Sequence, residues 1–409
     1  MLDLGVGLRA GWICFGLSLA GASLAQGQFD LTGAKFHQLG RAGARAEGLP
    51  EMWVRPGYQV TRVAADLKNA RFMEFDDKGR LYLSRPTIGD ILVMTWDGKQ
   101  FNELGILLTG KKSVHGMHWA DGWLYYSTTY EIRRARDTSG DGVADEEEIV
   151  LDREKLGAFG GGHWWRPVLV TQDAIFTSIG DGGNINDESD SNRQKVWRFP
   201  KAGGDGKVWS TGIRNTEKLR LRPGTQEVWG MDHGSDNWGA KLGESQEKGQ
   251  PFTDLNPPDE FNHYREGAFY GHPFITGNRV PRYEFMNRPD IVELGAKTEP
   301  PAWNFGSHWA MNGFTFLGAN NAFGREHIGD AFCAAHGSWN SSVRVGYRVE
   351  RVLFDKVSGR PYGSLAIVVL LGPENQVLGR PVDCVEAPDG SVLFSCDQTH
   401  SIYRISPSR

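Results

Sequence analysis

One unit recurs along this chain and limits the folds that it can adopt: a short strand, a polar turn with aspartate and glycine, and a second strand. Clear copies are ARFMEFDDKGRLYLSR, VHGMHWADGWLYYST, RPVLVTQDAIFTSIGD, KLRLRPGTQEVWGMD and VDCVEAPDGSVLFSCD, and a fainter copy is GFTFLGANNAFGREHIGDAFCAAHG. Their turns fall near residues 77, 121, 172, 224, 324 and 389. Most of these spacings match one four-stranded blade. We predict an all-β, six-bladed β-propeller; the alternative, a pair of β-sandwiches, does not explain the blade-length period.

The widest interval between turns, from residue 224 to residue 324, holds a loop-rich insertion with many proline, asparagine, glycine and tryptophan residues. Long insertions in such folds usually lie over the face that binds ligands, because loops there tolerate extra length. We expect this insertion over the funnel face of the propeller. The net charge of −5, without a basic cluster, indicates that nucleic acid is not a partner.

The N-terminus has the features of a secretory leader. Arg9 precedes the apolar run AGWICFGLSLAGASLA, which ends in the small-x-small pattern Ser23-Leu24-Ala25. We predict a signal peptide over residues 1–25, a poorly ordered lead-in over 26–49 and the propeller over 50–409. The mature chain would be periplasmic or secreted and have no membrane span; a retained membrane anchor is the alternative.

Three cysteines would remain after removal of such a leader: Cys333, Cys384 and Cys396. Cys384 and Cys396 flank one predicted hairpin, and an exported protein could bridge them. The sequence leaves both a disulfide and free thiols open. No C-x-x-C-H motif is present, so covalently attached haem is not indicated.

The segment DTSGDGVADEEE matches the twelve-residue calcium loop of EF-hands. Such a loop would offer oxygen ligands at fixed positions and close on a bidentate glutamate. The predicted ligands are Asp137, Ser139, Asp141, the Val143 carbonyl, Asp145 and Glu148, with Gly142 at the sharp turn. We expect a structural calcium ion here; a solvated acidic turn is the alternative.

A histidine follows three glycines in the segment GGGHWW, and an aspartate ends the next predicted strand. The intervening turn folds Asp181 back alongside His163. A carboxylate beside an imidazole fixes its tautomer and raises its basicity, which suits a general base. The upstream glycines would leave room for a planar ligand. The alternative is a structural His–Asp pair at a strand end.

Several polar segments precede or follow predicted strands where propeller loops face the funnel. Arg214-Asn215 and Arg380 each precede a strand, and converging guanidinium groups would bind an anionic ligand with carboxylates. Gly234-Ser235 lies in a turn whose carbonyls could bind a cation. The segment HGSWN and its flank offer His336, Trp339, Asn340 and Arg344. Ordinary turn chemistry and surface ion pairs are the alternatives.

Together these motifs resemble the soluble glucose/sorbosone dehydrogenase family, six-bladed propellers that bind pyrroloquinoline quinone (PQQ). The resemblance covers about Glu51 to Ile405 and is closest to the L-sorbosone dehydrogenase-like branch. It rests, in order, on VHGMHWADGWLYY, GGHWWRPVLV with SIGDGG, GIRNTEKL, DHGSDNWG, HGSWN and GRPVDCVEAPDG.

The resemblance implies a role for each matching residue. His163 would be the catalytic base and Asp181 the acid that orients it. Arg214 and Asn215 would contact the quinone carbonyls, and the main-chain oxygens of the Gly234-Ser235 turn would hold the quinone-bound calcium. Arg380 would bind a carboxylate of the cofactor.

The chain also departs from the family pattern. His115 stands where glucose-oxidising members have an amide or an acid. The lysine expected near HGSWN is missing, so Asn340 or Arg344 would replace it, and RNTEKL lacks the usual glycine. These departures affect cofactor binding more than the fold.

The resemblance implies an exported dehydrogenase that uses PQQ and Ca²⁺. It would oxidise an aldose or a sorbosone-like sugar and pass electrons to a periplasmic acceptor. Two alternatives stay open: a calcium-dependent propeller lactonase or hydrolase, and a non-catalytic sugar- or protein-binding propeller that has lost PQQ. Serine hydrolase, NTPase and zincin motifs are absent from the sequence.

Overall fold

Each recurring strand–turn–strand unit forms the two inner strands of an antiparallel sheet. The structure is a computed structural model that describes residues 49, 52–157, 162–238 and 251–408. Six sheets of four or five strands follow one another along the chain and form the blades of a propeller. The prediction of an all-β, six-bladed propeller is confirmed.

The first three blades are continuous in sequence. Blade 1 contains β3 to β6, which are Met73–Phe75, Leu81–Arg85, Asp90–Trp96 and Phe101–Leu108. Blade 2 contains β7 to β10, which are Met117–Ala120, Trp123–Ser127, Ile132–Arg136 and Glu146–Leu151. Blade 3 contains β11 to β14, which are Leu169–Val170, Ala174–Ile179, Lys195–Pro200 and Lys207–Thr211. A short helix, α1 (Arg153–Leu156), lies between blades 2 and 3.

Blade 4 contains the long insertion. Its strands are β15 to β17 and β20, which are Thr216–Leu221, Val228–Asp232, Pro258–Tyr264 and Trp303–Ser307. Helix α2 (Pro251–Leu255) precedes β17. Between β17 and β20 lie the hairpin β18–β19 (Ile275–Thr276 and Val280–Pro281), a 3₁₀ turn (Tyr283–Phe285) and helix α3 (Ile291–Lys297).

The last two blades also use the start of the chain. Blade 5 contains β21 to β24, which are Met311–Phe316, Ala331–Ala335, Arg348–Phe354 and Pro361–Val369, with a 3₁₀ turn at Arg325–His327 and with β1 (Trp53–Val54) at its edge. Blade 6 contains β25 to β27, which are Pro381–Glu386, Val392–Cys396 and Ser401–Pro407, and its fourth strand is β2 (Tyr58–Ala64). Tyr58 is paired with Pro407, so strands from both ends of the described chain close the ring.

Apolar side chains fill the spaces between neighbouring blades. Between blades 4 and 5, for example, buried aromatic rings pack edge to face around Phe261. The ring centroid of Phe261 lies 5.0 Å from that of Phe314 and 5.1 Å from that of Trp229. Such contacts add to the area buried by each ring, and they hold adjacent blades in a fixed orientation around the axis.

Charged pairs from β15 reach across to blades 1 and 6. Lys218 Nζ lies 2.5 Å from Asp383 Oδ1 and also donates to the Cys384 carbonyl. In the same strand Glu217 pairs with Arg71 at 3.2 Å. Side chains of Lys218 and Asp383 are 3 % and 0 % exposed, so both charges depend on each other for compensation.

The cysteines and the predicted leader can be compared with this fold. Cys333, Cys384 and Cys396 are buried free thiols. Cys384 is opposite Phe394 and Cys396 opposite Pro381 in the β25–β26 hairpin, so the two sulfurs are not cross-strand partners. The predicted leader (1–25) and nearly all of the lead-in (26–49) lie outside the described residues. Within the described part, no helix has the length and hydropathy needed to cross a membrane.

Candidate functional site

A cavity of about 370 Å³ lies where the inner strands of the blades begin. Its volume is within the range of small-molecule sites in proteins. Predicted residues that line it are His163, Arg214, Asn215, Gly234 and Trp339. The structure therefore brings residues from three separate predicted motifs and the exposed Trp339 into one site.

His163 is held by the main chain at the end of β12. Its backbone N–H and its Nδ1 both lie 3.0 Å from the carbonyl oxygen of Asp181. Because a carbonyl can only accept, Nδ1 carries the proton and Nε2 keeps its lone pair. A Cβ at Gly180 would lie 2.8 Å from the His163 Cβ and 2.5 Å from the Arg214 carbonyl, so only glycine permits this close approach.

The imidazole of His163 is kept neutral by its surroundings. Burial and the nearby Arg214 guanidinium lower the pKa of His163 to about 3. A neutral imidazole with a free Nε2 lone pair is the form that can accept a proton. The geometry thus gives His163 the tautomer and the position of a base, whereas burial beside Arg214 weakens its basicity.

We expect the His163 imidazole to show no protonation midpoint between about pH 5 and pH 8, because its lowered pKa lies well below that interval. An NMR titration of the histidine ring signals measures this directly, and a His163→Gln variant identifies the signal that belongs to this residue. A midpoint near the ordinary histidine value would contradict the burial and charge environment described above.

Asp181 differs from the expectation in which of its atoms contacts His163. The predicted hairpin is present, but the carbonyl, not the carboxylate, accepts the imidazole proton. The carboxylate is fully buried and accepts from the Gly183 N–H at 2.5 Å and from His272 Nε2 at 2.7 Å. The direct carboxylate–imidazole contact predicted from sequence was wrong, because Gly183 and His272 hold the carboxylate while the main-chain carbonyl accepts from the imidazole.

Arg214 connects three sides of the cavity. Its Nη1 donates to the Gly234 carbonyl at 2.9 Å, and its Nη2 donates to Asp236 Oδ2 and Asn184 Oδ1, each at 2.9 Å. The Asn215 side chain next to it donates to His233 Nδ1 at 3.0 Å. The guanidinium is thus fixed in place by residues of blades 3 and 4.

Two carboxylates and two histidines line the cavity without having been predicted as site residues: Asp236, Asp259, His233 and His308. Burial acts to raise the pKa of Asp236, but the nearby His308, whose Nδ1 lies 3.7 Å from Asp236 Oδ1, and the charge of Arg214 lower it overall. The pKa of His308 is raised by its pairing with Asp236, which outweighs its burial. Asp236 lies within the motif DHGSDNWG, whereas no local pattern marked His308.

Burial raises the pKa of Asp259. Its two oxygens accept main-chain N–H groups, from Gly234 at 2.8 Å and Met311 at 3.1 Å. Asp259 therefore joins the turn that follows β16 to the start of the inner strand of blade 5. Its role in this geometry is to hold the Gly234 turn in place.

Other predicted cofactor residues do not line the cavity. His115 is fully buried, with its ring centroid 4.2 Å from Phe72 and 4.6 Å from Trp165, and burial lowers its pKa to about 3. The Ser235 hydroxyl accepts from Arg282 of the insertion. These contacts give both residues a structural role at the edge of the site.

Arg344, Arg380 and the Asn340 amide also form hydrogen bonds with other groups of the protein. Arg380 donates to the carbonyl of Gly337 at 3.0 Å, and Arg344 donates to the carbonyl of Asn375 at 2.8 Å. Asn340 donates to Asn237 Oδ1 at 2.7 Å, and Asn237 itself lines the cavity. Asn340 thus supports the wall, whereas Arg344 and Arg380 do not reach it.

The predicted calcium loop is a hairpin turn held by its own carboxylates. Asp137 pairs with Arg80 at 2.7 Å, and Asp145 Oδ2 accepts main-chain N–H groups of the loop. Glu148 lies in β10 opposite Arg134 and pairs with it at 2.6 Å. In this register Glu148 faces Arg134 and does not close on the loop, and the calcium site stays a prediction.

The remaining predicted ligands of that loop also face protein groups. The Ser139 hydroxyl donates to Asp137 Oδ1 at 3.1 Å, and Asp141 Oδ1 accepts from the Val143 N–H at 2.9 Å. Among the residues that the structure describes, no three acidic, histidine or cysteine side chains form a group able to hold a metal ion. The twelve-residue match reflects turn-forming residue types.

Replacing Asp137 by asparagine should lower the free energy of unfolding by about 1–3 kcal/mol, because Arg80 loses a charged partner. We expect the same loss in calcium and in chelator, measured by urea denaturation. Asp141→Asn is the matched control, since its carboxylate is exposed and accepts one local N–H. A loss that appears only in calcium, in both variants, would restore the calcium-loop interpretation.

Comparison with known proteins identifies a family for the chain and relatives of its fold. Residues 52–281, more than half of the chain, match the family model described as TrAA12-like. An uncharacterized protein of Borreliella burgdorferi is 31% identical over 199 residues, which cover 47% of each of the two chains. The chain spans about half the length of the curated relatives it matches.

Solved structures share the fold over most of the chain. A Trichoderma reesei carbohydrate-active enzyme of family AA12 in its iodide structure has a TM-score of 0.75 and 16% identity, with 90% of this chain and 100% of that chain covered. The holo form of the pyranose dehydrogenase PQQ domain from Coprinopsis cinerea has a TM-score of 0.73 and 16% identity, with 89% and 99% covered. At these identities the comparison shows a common propeller fold.

Proposed function

The chain belongs to the TrAA12-like family, and on that premise we propose that it is a PQQ-dependent sugar dehydrogenase. The observation that carries the proposal is His163, a neutral imidazole whose Nε2 lone pair is free beside Arg214 in a ligand-sized cavity. A general base beside a fixed cation is what removal of a hydroxyl proton next to an electron-accepting cofactor requires.

The residues of the cavity fit an anionic, oxygen-rich cofactor. Arg214 and His308, whose pKa is raised, bring positive charge to the cavity, and the Asn215 amide lines it while donating to Glu217 and His233. The Gly234 carbonyl and the Asp236 carboxylate offer oxygens suited to a hard cation. Arg214 donates to both of these acceptors, so calcium at the Gly234-Ser235 turn would compete with its guanidinium.

In this proposal Arg214 and Asn215 would hold PQQ, and main-chain oxygens of Gly234 and Ser235 would hold calcium. The chemistry that the cofactor supplies when bound is acceptance of two electrons from the substrate carbon at a quinone carbonyl, with calcium as Lewis acid. His163 Nε2 accepts the hydroxyl proton, while its Nδ1–H stays on the Asp181 carbonyl. Arg214 remains charged and stabilises negative charge that develops beside it.

We propose an aldose, another pyranose or a sorbosone-like sugar as substrate. The name of the Coprinopsis protein supports a pyranose, and a structure of the Trichoderma protein with calcium supports that ion. We also propose that the enzyme is exported and that a periplasmic acceptor takes its electrons, as the leader-like N-terminus implies. Of the predicted cofactor residues, His115, Asn340, Arg344 and Arg380 would act indirectly, through the walls of the site.

Reconstitution tests the proposal. The full mature chain is titrated with PQQ in calcium and assayed with a dye acceptor against aldoses, pyranoses and sorbosone-type aldehydes. Sugar-dependent dye reduction that requires PQQ is the expected result. Absence of both PQQ binding and dye reduction would contradict it, and calcium-dependent lactone hydrolysis in the same preparation would favour the hydrolase instead.

A further inference from the structure

A second histidine is attached to the site through the carboxylate of Asp181. His272 lies in the insertion between β17 and β18 and is 7 % exposed. Its Nε2 is 2.7 Å from Asp181 Oδ2, and its backbone N–H donates to the Gly212 carbonyl at 3.1 Å. The pKa of Asp181 is lowered overall, because hydrogen bonds such as that from His272 outweigh its burial. The carboxylate is therefore ionised and can only accept, so His272 Nε2 carries the proton.

The other donors to this carboxylate come from the loop that follows Asp181. They are the backbone N–H groups of Gly183 and Asn186 and the side-chain amide of Gln194, the last two at 3.1 Å. Gly183 and Asn186 lie in that loop and Gln194 directly precedes β13, so all three donors belong to blade 3. His272 instead belongs to blade 4, so its hydrogen bond fixes Asp181 relative to a different blade.

The main chain of Asp181 transmits this constraint to the cavity. Its carbonyl accepts both the backbone N–H and the Nδ1–H of His163, and its own N–H donates to the Arg214 carbonyl at 2.8 Å. A displaced Asp181 peptide would therefore release the imidazole and shift the strand that carries the guanidinium. The position of the Asp181 carboxylate therefore affects both His163 and Arg214, which line the cavity.

We propose that His272 is a positioning residue: through the Asp181 carboxylate it holds the carbonyl that keeps His163 in the Nδ1–H tautomer, with its lone pair on Nε2. This inference rests on the proposed role of His163 as a base. It assigns a function to the insertion of blade 4 beyond covering the site. The insertion supplies the donor that orients the base.

The tautomer of His163 can be measured without turnover. We compare ¹⁵N-histidine spectra of the full chain, before and after addition of PQQ and calcium, for wild type, His272→Met and His272→Gln. Glutamine can place a donor where Nε2 lies, whereas methionine fills the space without a donor. We expect a single Nδ1–H form of His163 in wild type and His272→Gln, and a mixture of tautomers in His272→Met.

Kinetics provide the second measurement. For His272→Met we expect kcat to fall about 10- to 100-fold, the usual loss when an outer-shell hydrogen bond is removed, with KM changed less than about twofold, since no substrate contact is removed. His272→Gln should recover most of kcat. His327→Gln is the matched control: this buried histidine bonds Tyr58 at 2.7 Å on the far side of blade 5 and should leave kcat unchanged.

The outcomes separate the two proposals. An unchanged His163 tautomer and unchanged kcat in His272→Met would overturn the positioning role. A wild-type protein without dehydrogenase activity would refute the proposed function, while the spectra would still decide whether His272 positions His163. If the methionine variant does not fold, His272→Asn, whose amide is too short to reach Asp181, replaces it in both measurements.

Discussion

Replacing His163 by glutamine should lower kcat by about 100- to 10,000-fold, the range that loss of a general base usually costs. Glutamine places its amide near the position of Nε2, so the hydrogen bond that Nδ1 donates to the Asp181 carbonyl at 3.0 Å is lost. Its amide is far too weakly basic to take the proton that the Nε2 lone pair accepts. The change therefore removes proton transfer and one side-chain hydrogen bond, while the backbone N–H of residue 163 still donates to the Asp181 carbonyl. Sugar-dependent dye reduction with saturating PQQ and calcium measures kcat.

The control for this prediction is cofactor binding. A PQQ titration followed by absorbance should give nearly the same affinity for His163→Gln as for wild type, since Arg214 and Asn215 are intact. Equal turnover of variant and wild type would refute the role of His163 as the base. Loss of PQQ binding instead of turnover would make it a binding residue.

Replacing Lys218 by methionine should lower the free energy of unfolding by about 3–5 kcal/mol, because it leaves the charge of a buried partner without compensation. Lys218 and Asp383 lie 2.5 Å apart and are almost completely shielded from water. Methionine keeps most of the volume of the lysine stem, so the loss reports charge and not packing. Urea denaturation followed by tryptophan fluorescence gives the value.

A double variant separates pairing from general damage. Asp383 Oδ2 also accepts the Met73 N–H at 2.9 Å, and asparagine at residue 383 keeps an acceptor for that group. Lys218→Met combined with Asp383→Asn should recover much of the stability, since no unpaired charge then remains. A single Lys218→Met variant that loses less than about 1 kcal/mol, as an exposed pair would, would show that water reaches this pair.

The blades were predictable because each depends on contacts close in sequence. A turn with aspartate and glycine, such as that between β3 and β4, joins strands that pair with their immediate neighbours. The closure of blade 6 by β2 was not predictable in this way. Tyr58 pairs with Pro407 across the whole chain, and no local pattern records such a pairing.

The site was also predictable only where local sequence motifs mark its residues. His163, Arg214 and Gly234 stand in motifs and line the cavity as expected. His308 and His272 carry no motif, because each acts through a contact with a residue that lies distant in sequence, Asp236 and Asp181 respectively. The sequence marks residue types near strand ends, but the choice of hydrogen-bond partner depends on packing between blades.

The calcium loop shows what a local motif leaves out. All twelve residues matched a pattern that specifies ligand types, yet the pattern does not specify competing partners. Arg80, next to β4 of blade 1, forms an ion pair with Asp137. The register of β9 and β10 places Glu148 opposite Arg134. A local motif predicts a metal site only when nothing else in the fold offers its carboxylates a cation.

β2 lies beside β27, with Tyr58 opposite Pro407, so the blades form a closed ring. A closed ring has no first blade, and the chain could begin at any of the blades and still form the same ring. A circularly permuted gene that joins the end of β27 to the start of β1 and opens the loop between two other blades would encode the same set of strand pairs. The cavity draws its walls from blades 3, 4 and 5. New ends placed between blades 1 and 2 would therefore leave every wall of the site continuous in sequence.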